Sequence, residues 1–205
     1  SNSIFFGSIT LINSDSSYWP DIFIVKYDTN GNVLWAKSAG GGLNYDIGYS
    51  IATDLSGNVY VTGTFTSPII TFDSTTLINA GGNDIFMVKY DTIGNVIWAS
   101  SAGGTGQDVG VGIATDDNGN VCFTGFFQSS SITFGTTTLQ NTGDLDVFVV
   151  KFDAGGIANW AKTPGGGWSD DRGLGITTDG SGNIYVTGLF NSWSITFDST
   201  TLVNA

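Results

Sequence analysis

Hydrophobic residues in this chain come in short bursts separated by Asn, Gly, Asp and Ser, and the bursts recur in a fixed order. DIFIVKYD at Asp21 to Asp28 returns as DIFMVKYD at Asp84 to Asp91 and as DVFVVKFD at Asp146 to Asp153, at offsets of 63 and 62 residues. Each copy passes through a turn into a segment carrying a tryptophan: GNVLWAK, GNVIWAS and GGIANWAK. A Gly-rich loop then leads to YSIATD, GIATD or GITTD, a further turn, and VYVTGTF, VCFTGFF or IYVTGLF. The last piece of the unit, IITFDSTTLIN from Ile69 to Asn79, reads as a hairpin around Asp73-Ser74 and returns at Ile132 to Asn141 and from Ile195 onward. These bursts are short, rich in β-branched and aromatic residues, and bounded by tight-turn residues, so they predict strands. Runs such as IFIVKY are apolar on both faces, as in a strand sandwiched between neighbours. Gly63, with Gly125 and Gly188 at the same phase, predicts a bulge or a close approach of another backbone.

Composition supports the same elements. The 205 residues are 40% hydrophobic and 13% aromatic, enough for a packed core. All 18 acidic residues are Asp, there is no Glu and no His, and strong helix formers are scarce. The fold class expected is all-β. A sheet of this size cannot bury both faces alone, whereas a stack of such sheets can. The chain is therefore read as one repeat domain, 1–205, with approximate units 14–79, 80–141 and 142–205, and 1–13 as part of a preceding unit. FGSITLIN at Phe6 to Asn13 matches FDSTTLIN at Phe72 to Asn79, so the chain opens and closes at one phase of the cycle. It is expected to be a piece of a longer or oligomeric assembly.

The net charge of −12 argues against a nucleic-acid partner and against anionic membrane surfaces. No run approaches the ~20 apolar residues of a membrane span. The N-terminus lacks a basic region and a small-residue cleavage site, so it does not read as a signal peptide. The single cysteine, Cys122, excludes an intrachain disulfide and stands where other units have Tyr60 and Tyr185, so it is expected to be a packed strand residue.

The combination GNVYVTG, DIFIVKYD, GNVLWAK, an Ala-Gly-Gly loop and GYSIATD resembles the bacterial repeats known as seven-bladed β-propeller repeats, over essentially the whole chain. The resemblance implies antiparallel four-stranded blades, about three here, arranged radially. YSIATD would be innermost, VYVTGTF second, DIFMVKYD third and VIWASS outermost, with ITF…TTLIN a hairpin inserted between the second and third strands. It also implies an extracellular or cell-surface protein. Closed propellers have four to eight blades, so unpaired strand edges are expected at the two ends, and with them self-association.

Candidate chemistry is sparse. Asp46, Asp108 and Asp171 recur after the Gly-rich loops, five residues before an Ile of the third strand-forming burst. They could line one ring at a channel mouth and hold a cation such as Ca²⁺. Because they recur in every unit, hydrogen bonding to loop amides is the plainer role. The turns DTNGN, DLSGN and DDNGN resemble the start of a calcium loop, but with no Glu in the chain they read as hairpin turns. The Gly clusters are expected to be flexible connections rather than phosphate loops, since no Lys or helix follows. Without His there is no triad, and no cofactor or enzyme activity is expected. Trp35, Trp98 and Trp160 recur and should pack, whereas Trp19, Trp168 and Trp193 do not recur. Those three are the candidate ligand-binding residues, able to stack on a sugar ring or a protein surface. The expected function is a non-catalytic structural scaffold or self-assembling module whose partners are its own or neighbouring blades. The alternative is an adhesin-like or lectin-like module that uses the three tryptophans.

Overall fold

Aspartates at the start of each tight turn set the strand boundaries. Asp28 Oδ1 accepts from the amides of Asn30 and Asn32, and its Oδ2 accepts from the Asn32 side chain. Gly31 takes the left-handed conformation with φ of 83° that the turn demands. Asp54, Asp91, Asp116 and Asp179 repeat the same three bonds. Their oxygens are thus engaged by the turn's own donors, which is the hairpin role read from the sequence.

The computed structural model describes residues 2–14, 19–42, 44–164 and 166–204, and these contain strands and turns with no helix. One four-stranded antiparallel sheet contains β5 (Asp46–Thr53), β6 (Val59–Phe65), β9 (Asp84–Tyr90) and β10 (Val96–Ala102), in that order. The hairpin β7 (Ile69–Phe72) and β8 (Thr75–Ile78) is inserted between its second and third strands. The next sheet repeats the pattern with β11 (Asp108–Thr115), β12 (Val121–Phe127), β15 (Asp146–Phe152) and β16 (Ala158–Lys162), interrupted by hairpin β13 (Ser131–Phe134) and β14 (Thr137–Gln140). Strand order and inserted hairpin are those the resemblance implied.

Each end of the chain carries half a blade. The first has the hairpin β1 (Ser3–Phe6) and β2 (Ile9–Ile12), followed by the pair β3 (Ile22–Tyr27) and β4 (Val33–Ala39). These correspond to a hairpin and the two outer strands. The last has the inner pair β17 (Asp171–Thr178) and β18 (Ile184–Phe190), followed by hairpin β19 (Ser194–Phe197) and β20 (Thr200–Val203).

Gly63, Gly125 and Gly188 combine both features the sequence suggested. In all three sheets the register slips on the partner strand opposite this glycine, between Gly48 and Ser50 in the first. A side chain on Gly63 would overlap the Ile47 carbonyl, and one on Gly125 that of Val109.

Successive blades pack face to face. Tyr60, Ile85 and Met87 of one sheet share a core with Ile113, Phe123 and Val150 of the next. Inserted hairpins close that core and the preceding one from outside: Phe134 lies 5.2 Å from Phe148 in the former, and Phe72 5.2 Å from Phe86 in the latter, centroid to centroid. Polar links run both ways along the stack. Thr115 Oγ1 donates to the Thr53 carbonyl at 2.8 Å, and Thr178 to Thr115 at 2.6 Å. Lys26 Nζ and Trp35 Nε1 both donate to the carbonyl of Thr92 in the following turn, and Lys89 and Trp98 do the same to Ala154. The Gly-rich loops depart from the expectation of flexible connections. A Cβ on Gly103 would strike the Asp84 carboxylate, and Gly104 N donates to Asp108. These glycines are small because the loops are packed.

Candidate functional site

Asp46, Asp108 and Asp171 open the innermost strand of their blades, and all three are buried. Asp108 Oδ1 accepts from the amides of Gln128 and Ser129, and its Oδ2 from the Ser129 hydroxyl at 2.6 Å and the Gly104 amide. Asp46 has the same arrangement with Thr66, Ser67 and Gly41. Asp171 is held by Asn191 and Ser192. Burial pushes the carboxyls of Asp46 and Asp108 upward, and the serine hydroxyls and amides oppose that rise. The expectation that the three line a channel mouth is therefore corrected. Each is turned into its own blade, where it ties the start of the first strand to the end of the second. Among the described residues no three Cys, Asp or Glu side chains gather where a metal ion could be held.

Sequence reasoning missed a second set of carboxylates. Asp84 and Asp146 open the third strand of each complete blade and face Asp108 and Asp171 of the blade that follows. Asp84 Oδ2 accepts from the Ala80 amide, but its buried Oδ1 has no donor, and the same holds for Asp146 Oδ1. Burial, with the charge of Asp108 adding to it, pushes the Asp84 carboxyl up to about 6. The only signal in the sequence was the recurrence of an Asp before an apolar run, which equally fits a turn boundary. Cys122 is fully buried, and burial pushes its thiol up to about 11, as suits an inert packing residue.

The three tryptophans do not form one site. Trp19 lies at the first half-blade, where its ring packs 6.3 Å from that of Tyr45. Trp168 and Trp193 lie on two loops in the last part of the chain. The loop carrying Trp168 is tied to the one carrying Trp193 by the Gly167 amide, which donates to Ser192 Oγ at 3.0 Å. Trp168 is 95% exposed and Trp193 80%. Their counterparts in the complete blades, Thr105 for the first and Pro68 and Ser130 for the second, are exposed too. The rim position itself faces solvent, so the tryptophans are not exposed merely because the last blade is half built.

Stacked antiparallel four-stranded sheets with a hairpin inserted in each, and polar groups spent on internal turns, define a chain of propeller-type blades. A family model described as beta-propeller repeat (SBBP) matches residues 34–67 and 160–192, two windows that each run from an outermost strand through the next blade's two inner strands. The chain carries that family's β-propeller repeat in both windows. It is 32% identical, over 91% of its length, to an uncharacterized WD repeat-containing protein of Acanthamoeba polyphaga mimivirus. It is 27% identical, over 66% of its length, to the regulatory protein FlaEY of Caulobacter vibrioides. The chain spans 16% of the first relative's length and 15% of the second's.

Proposed function

We propose that this β-propeller repeat chain is a non-catalytic interaction scaffold, with the Trp168–Trp193 rim as its contact patch for a protein partner. The observation that carries this is the two almost fully exposed tryptophans, on loops tied to each other, at positions where the other units place Leu, Thr, Pro or Ser. Large aromatic rings held in water by a rigid strand framework supply contact area at little conformational cost when a partner arrives. Repeating residues supply the platform, and the non-repeating ones supply specificity. The family resemblance supports an extracellular or cell-surface setting.

The test is a peptide-library selection run in parallel on the parent chain and on a W168A/W193A double variant, with a glycan array beside it. The parent should enrich binders that the double variant fails to hold, at a cost of about tenfold or more in affinity. Binders held equally by both would show that the rim is not the contact patch. A signal confined to the glycan array would move the reading to sugar recognition.

A further inference from the structure

Where β15 opens against the loop that leads into β17, oxygens gather without a matching donor. Asp146 is the first residue of β15 and is fully buried. Its Oδ2 accepts from the Thr142 amide at 2.7 Å and the Thr142 hydroxyl at 3.0 Å, while among the described residues Oδ1 has no donor. A Cβ on Gly143 would lie 2.5 Å from the Gly167 carbonyl oxygen and 3.1 Å from both the Ser169 carbonyl oxygen and Asp146 Oδ1. Three oxygens thus surround one point, each within 3.1 Å of it, and Gly143 keeps that point open by having no side chain. The Gly167 carbonyl also accepts from the Ser169 amide, which leaves it a second lone pair. The Ser192 hydroxyl lies 3.4 Å from that carbonyl but donates more closely to Asp171, at 2.7 Å.

Charge adds to the mismatch. Buried Asp171 faces Asp146 across the junction, and its negative charge acts on that carboxyl. Among the described residues no Lys or Arg pairs with either carboxylate, and Arg172 is committed to Asp170 at 2.9 Å. A proton on Oδ1 would answer one carbonyl and leave the other facing lone pairs. A water has two hydrogens for three acceptors and leaves the two carboxylates opposed. A cation answers all three oxygens at once and offsets the charge. Carboxylate and carbonyl oxygens, with no nitrogen or sulfur, form the ligand set of a hard cation. Loop carbonyls suit the irregular shell of Ca²⁺, whereas Mg²⁺ demands an octahedron and keeps its waters.

We propose that this junction is a calcium site, with Asp146 Oδ1 and the carbonyls of Gly167 and Ser169 as ligands and Asp171 as the second charge. A single carboxylate touches the ion, so the site needs no cluster of acidic side chains. The preceding junction supplies the contrast. Asp84 has the same orphan oxygen, but the loop facing it, from Gly104 to Asp108, is one residue shorter than that from Gly166 to Asp171. A Cβ on Gly81, the counterpart of Gly143, would meet the Gly104 carbonyl oxygen and the Thr105 α-carbon at 2.8 Å each, so carbon stands where the longer loop places oxygen. Asp84 is left to a proton and Asp146 to an ion. Gly167 and Ser169 flank Trp168, so a bound ion holds the loop that presents that ring. This last consequence rests on the Trp168 rim being a contact patch, whereas the ion site does not.

Calorimetric titration with calcium chloride tests this on the parent chain and on D146N, G143A, D84N and W168A. The parent should take up about one ion per chain, with the affinity of about 0.1–1 mM typical of weaker calcium sites. D146N removes the ligand charge and G143A fills the cradle, so each should weaken uptake by about tenfold or more. D84N, at the other junction, should stay within about twofold of the parent. Circular dichroism in EDTA checks that every variant is folded, and calcium should raise the melting temperature of the parent but not that of D146N. Absence of saturable heat, heat that survives both D146N and G143A, or heat lost equally in D84N would each overturn the proposal. W168A keeps both carbonyls and should still take up calcium, so failure of this site and failure of the rim are separable.

Discussion

Asp84 shows how a repeated residue can be costly and still be kept. Its carboxyl is buried, half satisfied, and faces Asp108. In the fold it titrates at about 6, above its ordinary value of 3.8, so between those two values the folded chain holds more protons than the unfolded one. Its contribution favours folding most at low pH and is lost as pH rises through 6. Asp84→Asn removes the charge and keeps the shape. The variant should melt above the parent near pH 7, and the gap should close as pH falls toward about 4.5. Thermal melts across that range check it, and a gap constant with pH would count against a buried charge. None of this was legible in the sequence, because DIFMVKYD and DIFIVKYD begin with the same Asp although Asp84 is buried and Asp21 only half-buried. Turn aspartates were legible, because their partners lie within four residues along the chain.

Within a blade, the ladder between first and second strands is continued past its end by a side-chain bond. Ser129 Oγ donates to Asp108 Oδ2 at 2.6 Å and accepts from the Gly106 amide, both at a buried position. Ser129→Ala leaves the carboxylate short of a donor, with an expected loss of about 1–3 kcal/mol in chemical denaturation. A smaller loss would mean that the amides alone hold the aspartate. The inserted hairpin is anchored differently along the stack. Lys37 pairs with Asp73 and Lys162 with Asp198, yet the middle copy has Ser100 and Gly135, so both partners of the ion pair are absent together. Strand order and hairpin insertion followed from periodicity and resemblance, since both are written in every copy. Packing of the Gly-rich loops did not, because a run of glycines looks the same whether it is slack or crowded.

At the scale of the molecule, two complete blades stand between two half-blades. IYVTGLF differs little from VYVTGTF, yet one segment is exposed and the other enclosed. Sequence reports what a strand can pair with, and only the assembly decides whether it does.

Trp35 and Trp98 each have the turn of the following blade against the indole face and a carbonyl at the indole nitrogen. Covered in this way, the two rings are intrinsic optical probes of blade stacking. As the stack is opened with urea, their emission should shift to longer wavelength and their quenching by acrylamide should rise, while the exposed rings of Trp168 and Trp193 keep theirs. In a Trp98→Phe chain that spectral change should shrink. An undiminished change in urea fluorimetry would mean that other tryptophans supply it.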